Sequence, residues 1–181
     1  MKVDRALFLG RFQPMHLGHL DVVQRLSMEH EEVVVAIGSA NVSHTPINPF
    51  TGGERVEMVH AATRDAGLAN VLTIPIPDVG RNTLWASHVE SLVPRFSVFY
   101  SNNPLPARLF REAGHEVRPA PFHQRAEYEG TRIRKLMIDG GAWRELVPRA
   151  VADVIEAIHG VERLRELAHG DGVVEGYDPT V

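Results

Sequence analysis

Short apolar runs alternate with longer amphipathic segments along the first two thirds of the chain. Four runs rich in Val, Ile, Leu and Phe are typical of strands buried on both faces: residues 6–9, 33–37, 71–76 and 96–100. Apolar residues at helical spacing follow each run, and residues 116–118 predict a short fifth strand. This alternation predicts an α/β fold, with a doubly wound, mostly parallel sheet and right-handed crossovers.

Helical periodicity dominates the last third of the chain. Residues 131–139, 148–158 and 161–168 each predict a helix, with glycines between them. We expect these helices to pack against the sheet edge, so that residues 1–168 form a single domain. Residues 169–181 combine Gly, Asp and Pro without a regular period, which predicts a flexible tail.

Composition narrows the possible partners. The 181 residues are 44% hydrophobic and carry a formal net charge of -4, so the excess positive charge needed for sequence-independent nucleic-acid binding is missing. The lack of cysteine excludes disulfides, thiolate metal sites and cysteine nucleophiles. There is no signal-peptide pattern and no apolar stretch of about 20 residues. We therefore expect a cytoplasmic protein with neither membrane nor nucleic acid as a partner.

The first predicted strand runs into the segment GRFQPMHLGH, from Gly10 to His19, and then into a helix. In an open parallel sheet such a loop lies at the ligand-binding edge, and the helix start offers N–H groups to an anion. Gly10 and Gly18 allow close backbone approach. His16 and His19 are three residues apart and can both donate hydrogen bonds to phosphate oxygens. The segment predicts a phosphate clamp.

Two simpler readings of the histidine pair compete with this one. The residues could be ordinary surface histidines, or they could be half of a zinc site. A zinc site needs a third ligand, and nearby Asp21 lies off the required helix face. The glycines alone are weak evidence, because the chain has no G-x-G-x-x-G pattern and no P-loop here.

A second segment, GTRIRK at residues 130–135, opens a predicted helix. Thr131 is expected to cap that helix and Arg134 to lie in its first turn. A cation there opposes the helix dipole, which is reasonable if a bound phosphate lies between them. The alternative interpretation is a solvated basic face.

Together the two segments resemble the H-x-G-H and S/T-x-x-R signatures of the nucleotidyltransferase superfamily related to class I aminoacyl-tRNA synthetases. Further segments resemble one branch, the archaeal-type nicotinamide mononucleotide adenylyltransferases. They are IGSANVSHTPINPFTGGER, NTLWASHVESLVP, YSNNPL and YEGTRIRKLM. The likeness extends from Val3 to Ala168, which is nearly the whole chain.

The resemblance implies a Rossmann-like nucleotidyltransferase fold with C-terminal helices. It implies transfer of the adenylyl group of ATP to the 5′-phosphate of nicotinamide mononucleotide, giving NAD and pyrophosphate. Mg²⁺ would accompany ATP without a protein ligand for the metal. The resemblance also implies a homo-oligomer and favours a hexamer.

The resemblance assigns site residues by position. The catalytic residues would be His16, His19 and Arg134. The ATP-binding residues would be Gly10, Arg11, Phe12, Gly18, His19, Ser39, Asn103, Thr131 and Arg134. The residues that bind the nicotinamide nucleotide would be Asp78, Asn82, Trp85, Phe122 and Tyr128.

Several points qualify this assignment. Asn102 stands where the family has glycine, and Ile47 stands where some relatives have an arginine that contacts phosphate. Without the resemblance, Trp85 would be read as a core residue and Asn82 as a helix cap.

Two further function classes stay open at this point. One is an adenylyl- or cytidylyltransferase that acts on another phosphate acceptor, such as phosphopantetheine. The other is a non-catalytic nucleotide sensor, which is disfavoured because such a protein would have lost the histidines and Arg134.

Overall fold

The computed structural model describes residues 3–121 and 128–169, which form a five-stranded sheet with helices on both faces. The strands are β1 (Arg5–Gly10), β2 (Glu32–Ile37), β3 (Val71–Pro75), β4 (Val98–Tyr100) and β5 (Val117–Arg118). The helices are α1 (Leu17–Glu29), α2 (Gly52–Asp65), α3 (Trp85–Leu92), α4 (Pro104–Glu112), α5 (Gly130–Asp139), α6 (Arg149–Ala157) and α7 (Gly160–His169). Short 3₁₀ helices span Asn82–Leu84 and Trp143–Leu146.

All neighbouring strands are parallel, in the order β3-β2-β1-β4-β5. The chain moves from β1 outward to β3, then returns across the sheet to β4 on the other side of β1. Gly10 pairs with Ile37 of β2, and Phe8 pairs with Tyr100 of β4. Such a reversal of strand order leaves a crevice at the carboxyl ends, where ligands bind in this class of sheet. The predicted doubly wound sheet is confirmed.

The two faces of the sheet carry separate cores because successive strand residues point to opposite sides. Phe8 of β1 belongs to a large cluster with α1, α2 and the C-terminal helices. Leu7, its neighbour, belongs to a smaller cluster with α3 and α4. Both side chains are almost completely buried.

The last three helices do not form the sheet-edge layer that was predicted. Their buried residues join the cluster on the β1–β2 face, and α6 packs on α2. The reason is that Ile133, Val151 and Leu164 each bury an apolar side chain in that cluster. His169 closes α7, and the remainder of the predicted tail lies outside the described residues. The division at residue 168 stays a prediction.

Several element boundaries differ by one or two residues from the sequence-based prediction. β4 begins at Val98 and not at Phe96, whose ring stacks on His115 with 4.8 Å between ring centroids. α5 begins at Gly130, and Glu129 occupies the extended cap position, so Thr131 already lies inside the helix and cannot cap it. In the described part of the chain, no helix combines the length and apolar character needed to cross a membrane.

Candidate active site

A crevice with two lobes opens at the carboxyl ends of β1, β2 and β4. The lobes have volumes of about 360 Å³ and about 490 Å³. We call the first the histidine lobe, since His16 and His19 line it, and the second the tryptophan lobe, since Trp85 lines it. The residues that line both lobes, and so mark where they meet, are Leu9, Arg11, Ser101 and Asn103.

Most of the predicted site residues line this crevice. Those in the histidine lobe are Arg11, Phe12, His16, His19, Asn103, Tyr128, Thr131 and Arg134. Those in the tryptophan lobe are Gly10, Arg11, Ser39, Asp78, Asn82, Trp85 and Asn103. Segments far apart in the sequence therefore meet at a single place.

Four predicted residues are placed differently from their expected grouping. Gly10 and Ser39, expected with ATP, line the tryptophan lobe, whereas Tyr128, expected with the nicotinamide nucleotide, lines the histidine lobe. Gly18 lies in the first turn of α1 and does not line either lobe. Phe122 lies outside the described residues.

His16 and His19 are locked together by the start of α1. His16 is the N-cap, and its Nδ1 accepts a hydrogen bond from the backbone N–H of His19 at 3.2 Å. Nδ1 of His19 accepts one from the backbone N–H of His16 at 3.4 Å, completing a reciprocal capping box. The two rings stack with 3.5 Å between their centroids. Histidine is uncommon as a helix cap, so the capping role was not apparent from the sequence.

This geometry also fixes the chemical form of the two rings. Burial lowers the pKa of His16 to about 4. Burial, and secondarily the neighbouring His16, lowers the pKa of His19 well below its ordinary value. A neutral imidazole that accepts at Nδ1 must carry its proton on Nε2. At neutral pH the pair therefore presents two Nε2–H donors in fixed orientation and no net charge.

Gly18 allows the helix start to pack closely against the opposite wall. A Cβ atom at this position would lie 2.9 Å from Cβ of Tyr128 and 3.3 Å from Nδ1 of His16. The close approach predicted from the sequence is present, but it is made to protein side chains. Phe12 supports the same region, since its ring centroid lies 4.6 Å from that of His19.

Arg134 spans the histidine lobe from α5. It donates from Nη1 to the carbonyl of Gln13 at 2.8 Å and from Nε to the carbonyl of Pro46 at 3.1 Å. Burial, and secondarily the charge of Arg11, lowers the pKa of Arg134 to about 10, so it remains cationic at neutral pH. The sequence predicted Arg134 in the first turn of the helix, but α5 begins at Gly130, so Arg134 is its fifth residue and lies just past that turn.

Gln13 is a structural residue of the lobe that the sequence did not reveal. It is 4% exposed, and its amide group makes a pair of hydrogen bonds with the backbone of Phe50. Nε2 donates to the carbonyl at 3.0 Å, and Oε1 accepts from the N–H at 3.0 Å. Since Arg134 also binds the carbonyl of Gln13, the loop after β1 is fixed on two sides.

The tryptophan lobe is lined by residues of α3 and α4 and by the segments that follow β1, β2, β3 and β4. Asp78 is held by its backbone N–H, which donates to Oδ1 of Asn41 at 2.7 Å. Asn82 opens a 3₁₀ helix, and the N-cap of that helix is Arg81, so the capping alternative for Asn82 is wrong. Trp85 both packs against the smaller core cluster and lines the lobe. Core and ligand-facing readings of Trp85 are thus compatible.

The two departures from the family pattern have different surroundings. Asn102 bridges two chain segments, since Nδ2 donates to the carbonyl of Ala120 at 2.9 Å and Oδ1 accepts from its N–H at 3.1 Å. Ile47 is 52% exposed and directly follows Pro46, whose carbonyl accepts from Arg134. It offers no hydrogen-bond donor from its side chain at that position.

The zinc alternative for the histidine pair lacks support in this geometry. Within residues 3–121 and 128–169, no group of three or more His, Cys, Asp or Glu side chains could hold a metal ion. Nδ1 of both histidines is also occupied by backbone N–H groups.

Comparisons with known proteins identify the family of the chain. A family model described as cytidylyltransferase-like matches residues 7–136. A nicotinamide-nucleotide adenylyltransferase of Methanothrix thermoacetophila is 53% identical over 167 residues, which cover 92% of this chain and 98% of that protein. Another, of Thermoplasma volcanium, is 48% identical over 170 residues, covering 94% of this chain and 96% of the relative.

A solved structure has a similar fold at low sequence identity. It is a bifunctional NMN adenylyltransferase/ADP ribose pyrophosphatase from Francisella tularensis, complexed with AMP and a Mn ion. The TM-score is 0.75 at 19% identity, and the match covers 91% of this chain and 52% of that one. At this identity the likeness supports the sheet and helix arrangement.

Proposed function

The chain belongs to the nicotinamide-nucleotide adenylyltransferase family, and from that premise we propose which substrate each lobe of its crevice binds. The protein transfers the adenylyl group of ATP to the 5′-phosphate of nicotinamide mononucleotide and releases NAD and pyrophosphate. The histidine lobe binds the triphosphate, and the tryptophan lobe binds the mononucleotide. The observation that carries the proposal is the meeting of the two lobes at Arg11, Ser101 and Asn103.

The reaction needs alignment and charge stabilisation more than proton transfer. A phosphate oxygen of the mononucleotide attacks the α-phosphorus of ATP, and the bond from that phosphorus to the bridging oxygen of pyrophosphate breaks. A phosphate monoester has a second pKa of about 6, so the attacking group is already ionised at neutral pH. No general base is required, and the two anions must be held in line despite their repulsion.

The side chains of the histidine lobe fit that task. His16 and His19 supply two oriented neutral donors, which can stabilise charge that develops on the departing phosphate oxygens. Arg134 and Arg11 supply positive charge, and Arg134 is already fixed by two backbone carbonyls. The orienting hydrogen bonds are made before substrate arrives, so binding requires little reorganisation.

In the tryptophan lobe we assign recognition of the acceptor to side chains with matching chemistry. The indole of Trp85 offers a flat apolar surface for a pyridine ring. Asn82 offers an amide for the carboxamide, and Asp78 offers a carboxylate for ribose hydroxyls. These pairings rest on the family and on the positions of the three residues along one lobe.

Divalent metal enters as part of the nucleotide substrate. Mg²⁺ prefers phosphate oxygens and water over a dedicated protein cage, and the described residues supply no acidic cluster. We therefore propose MgATP as the substrate, in which the ion would offset negative charge on the phosphates that leave as pyrophosphate. A homo-oligomer, with a hexamer as the favoured form, and a cytoplasmic location stay predictions. Light scattering and cell fractionation test them.

The proposal is tested by measuring pyrophosphate release with a panel of substrates. We expect release, with NAD formed, from ATP and nicotinamide mononucleotide. Nicotinic acid mononucleotide belongs in the panel, and 4′-phosphopantetheine and CTP replace the acceptor and the donor in turn. Activity only with phosphopantetheine, or only with CTP, would overturn the proposal in favour of another member of the superfamily.

The same assay tests the role of His19. His19→Ala should lower kcat by about 10²–10³-fold, as expected for loss of a donor to a charged transition state. His60→Ala changes an exposed histidine of α2 and should leave kcat unaltered. Near-normal turnover of folded His19→Ala would refute the assigned role.

A further inference from the structure

Arg55 is a charged residue in the middle of an apolar stripe. It is the fourth residue of α2 and shares one face of that helix with Met58, Val59 and Ala62, all buried. The side chain of Arg55 is 0% exposed. Burying an arginine is costly unless its donors and its charge are satisfied, so the position calls for an explanation. An arginine on the apolar face of a predicted helix is also a signal that the sequence contained.

The guanidinium group of Arg55 is satisfied by backbone carbonyls of three separate segments. It has five N–H groups, and it makes five hydrogen bonds. The acceptors are the carbonyl oxygens of Arg11 (3.0 Å), Gly38 (2.8 Å), Ser39 (2.9 Å), Val42 (3.4 Å) and Thr51 (3.1 Å). One side chain thus joins the loop after β1, the loop after β2 and the start of α2.

Three of these carbonyls belong to residues that line the crevice. Arg11 lies where the two lobes meet, and Gly38 and Ser39 line the tryptophan lobe. Ser39 has a φ angle of 49°, a conformation that side-chain-bearing residues seldom adopt. Such a conformation persists only when the surroundings hold it, and the bond from Arg55 is one such restraint.

Arg55 also brings charge beneath the crevice. Burial lowers the pKa of Arg55 to about 10, while Asp78 acts to raise it, so the group is cationic at neutral pH. Among the residues that the structure describes, no carboxylate oxygen lies within 4.0 Å of its guanidinium nitrogens. No carboxylate therefore neutralises this positive charge at close range, on the side where the phosphates of the two substrates meet.

We propose that Arg55 is a positioning residue for adenylyl transfer, which fixes the walls of the two lobes relative to each other through the carbonyls of Arg11, Gly38 and Ser39. The inference rests on the proposed function. It differs from the roles of His16, His19 and Arg134, because Arg55 is covered by protein and does not touch substrate. Its effect falls on the alignment of the two phosphates.

Two variants and a matched control test the proposal. Arg55→Lys keeps a cation but has at most three donors, and Arg55→Met keeps an unbranched side chain without donors or charge. Arg64→Met changes an exposed arginine of the same helix. For each protein, thermal unfolding gives the fold's stability, and pyrophosphate release gives kcat and both KM values below the unfolding transition.

We expect kcat of Arg55→Lys to fall by about 10–100-fold, as misalignment of about 1 Å can cause. KM for the mononucleotide should rise more than KM for ATP, because Gly38 and Ser39 line the tryptophan lobe. Arg55→Met should lose more activity than Arg55→Lys, and Arg64→Met should match the wild type. If Arg55→Met does not fold, Arg55→Lys against Arg64→Met still decides the question.

The experiment distinguishes failure of the Arg55 inference from failure of the proposed function. If the wild type and Arg64→Met are active and folded Arg55→Lys has kcat within about threefold of theirs, Arg55 is only structural and this inference fails alone. If the wild type itself releases no pyrophosphate with nicotinamide mononucleotide, the proposed function fails and the inference falls with it.

Discussion

The imidazole ring of His16 is both a helix cap and a hydrogen-bond donor in the histidine lobe. Its Nδ1 caps α1, and the same bond leaves the ring proton on Nε2 in the histidine lobe. The residue is 4% exposed, so protonation of the free protein is opposed by burial. A neutral N–H donor of this kind can form a favourable hydrogen bond with a bound anion. A permanent cation at this buried position would destabilise the unliganded fold.

That arrangement predicts a specific pH dependence of stability. The folded-state pKa of His16 is lowered to about 4, below an unfolded value of about 6.5. The folded state therefore binds fewer protons in this window, and stability falls as the pH drops from about 6.5 to about 4. His16→Asn keeps a good N-cap without a titrating ring. Over the same pH range the variant should therefore lose less free energy of unfolding than the wild type, and the difference should be up to about 3 kcal/mol.

Urea unfolding at pH 7, 6, 5 and 4 measures this difference. His60→Gln, at an exposed position of α2, should follow the wild-type curve. Parallel curves for His16→Asn and the wild type would show that His16 does not carry the effect.

Trp85 lies between core and crevice, so its two contributions must be separated. Trp85→Ala should raise KM for nicotinamide mononucleotide about 10-fold through loss of stacking, with a smaller change in KM for ATP. Val89→Ala removes a buried side chain one turn further along α3 and should lower stability without this difference. Equal effects of Trp85→Ala on both KM values would identify it as a core residue only.

At the scale of elements, α7 is tied to the start of α2. Arg163 donates to both carboxylate oxygens of Glu54, at 2.7 Å and 2.8 Å. Glu54 in turn completes a capping box with Thr51. Burial tends to raise the pKa of Glu54, but the bonds from Arg163 and Thr51 outweigh it and lower the pKa below its ordinary value. The C-terminal helix thereby helps to hold the loop that precedes α2.

Replacing Glu54 with Gln should remove the ion pair but keep a residue suited to a capping box. We expect a loss of about 1–3 kcal/mol at pH 7, measured by urea unfolding. Because the folded-state pKa of Glu54 is lowered, its contribution is present above the unfolded pKa and is lost as the pH falls through the folded pKa. The deficit of Glu54→Gln should therefore shrink in acid.

Glu112→Gln is the matched control for that measurement. Glu112 pairs with Arg108 on the surface of α4, where both side chains are mostly exposed. Exposed pairs contribute about 0–1 kcal/mol, so this variant should be nearly neutral. Equal losses of unfolding free energy in the two variants would mean that the Glu54–Arg163 pair stabilises the fold no more than an exposed ion pair does.

At the scale of the whole molecule, local patterns predicted the elements but could not predict the contacts between distant segments. The buried runs around Leu7 and Val34 indicated parallel strands, and GRFQPMHLGH indicated the ligand edge. The strand order depends on long-range pairing that no local pattern contains. Likewise, the bonds from Gln13 to Phe50 and from Arg55 to Gly38 link positions far apart in the sequence.

The start of α5 is a detail that local sequence preference missed. Thr131 has the chemistry of a cap, yet Glu129 takes that place because Gly130 can lie against the carbonyl of Gln13, where a Cβ atom would be 3.2 Å from the oxygen. Tertiary contact decided the boundary of α5 over local preference. The residues that line the crevice were predictable chiefly by resemblance, and their division between two lobes required the fold.

The common wall formed by Leu9, Arg11, Ser101 and Asn103 bears on how substrate preference can change during evolution. In the proposed assignment of the lobes, a substitution there alters the surroundings of both substrates at once. The residues that line the tryptophan lobe but not the histidine lobe include Asn82, Trp85 and Leu109. Variation at these three positions can adapt the protein to a new acceptor while the residues around ATP stay unchanged. Acceptor specificity can therefore change more readily in evolution than the use of ATP.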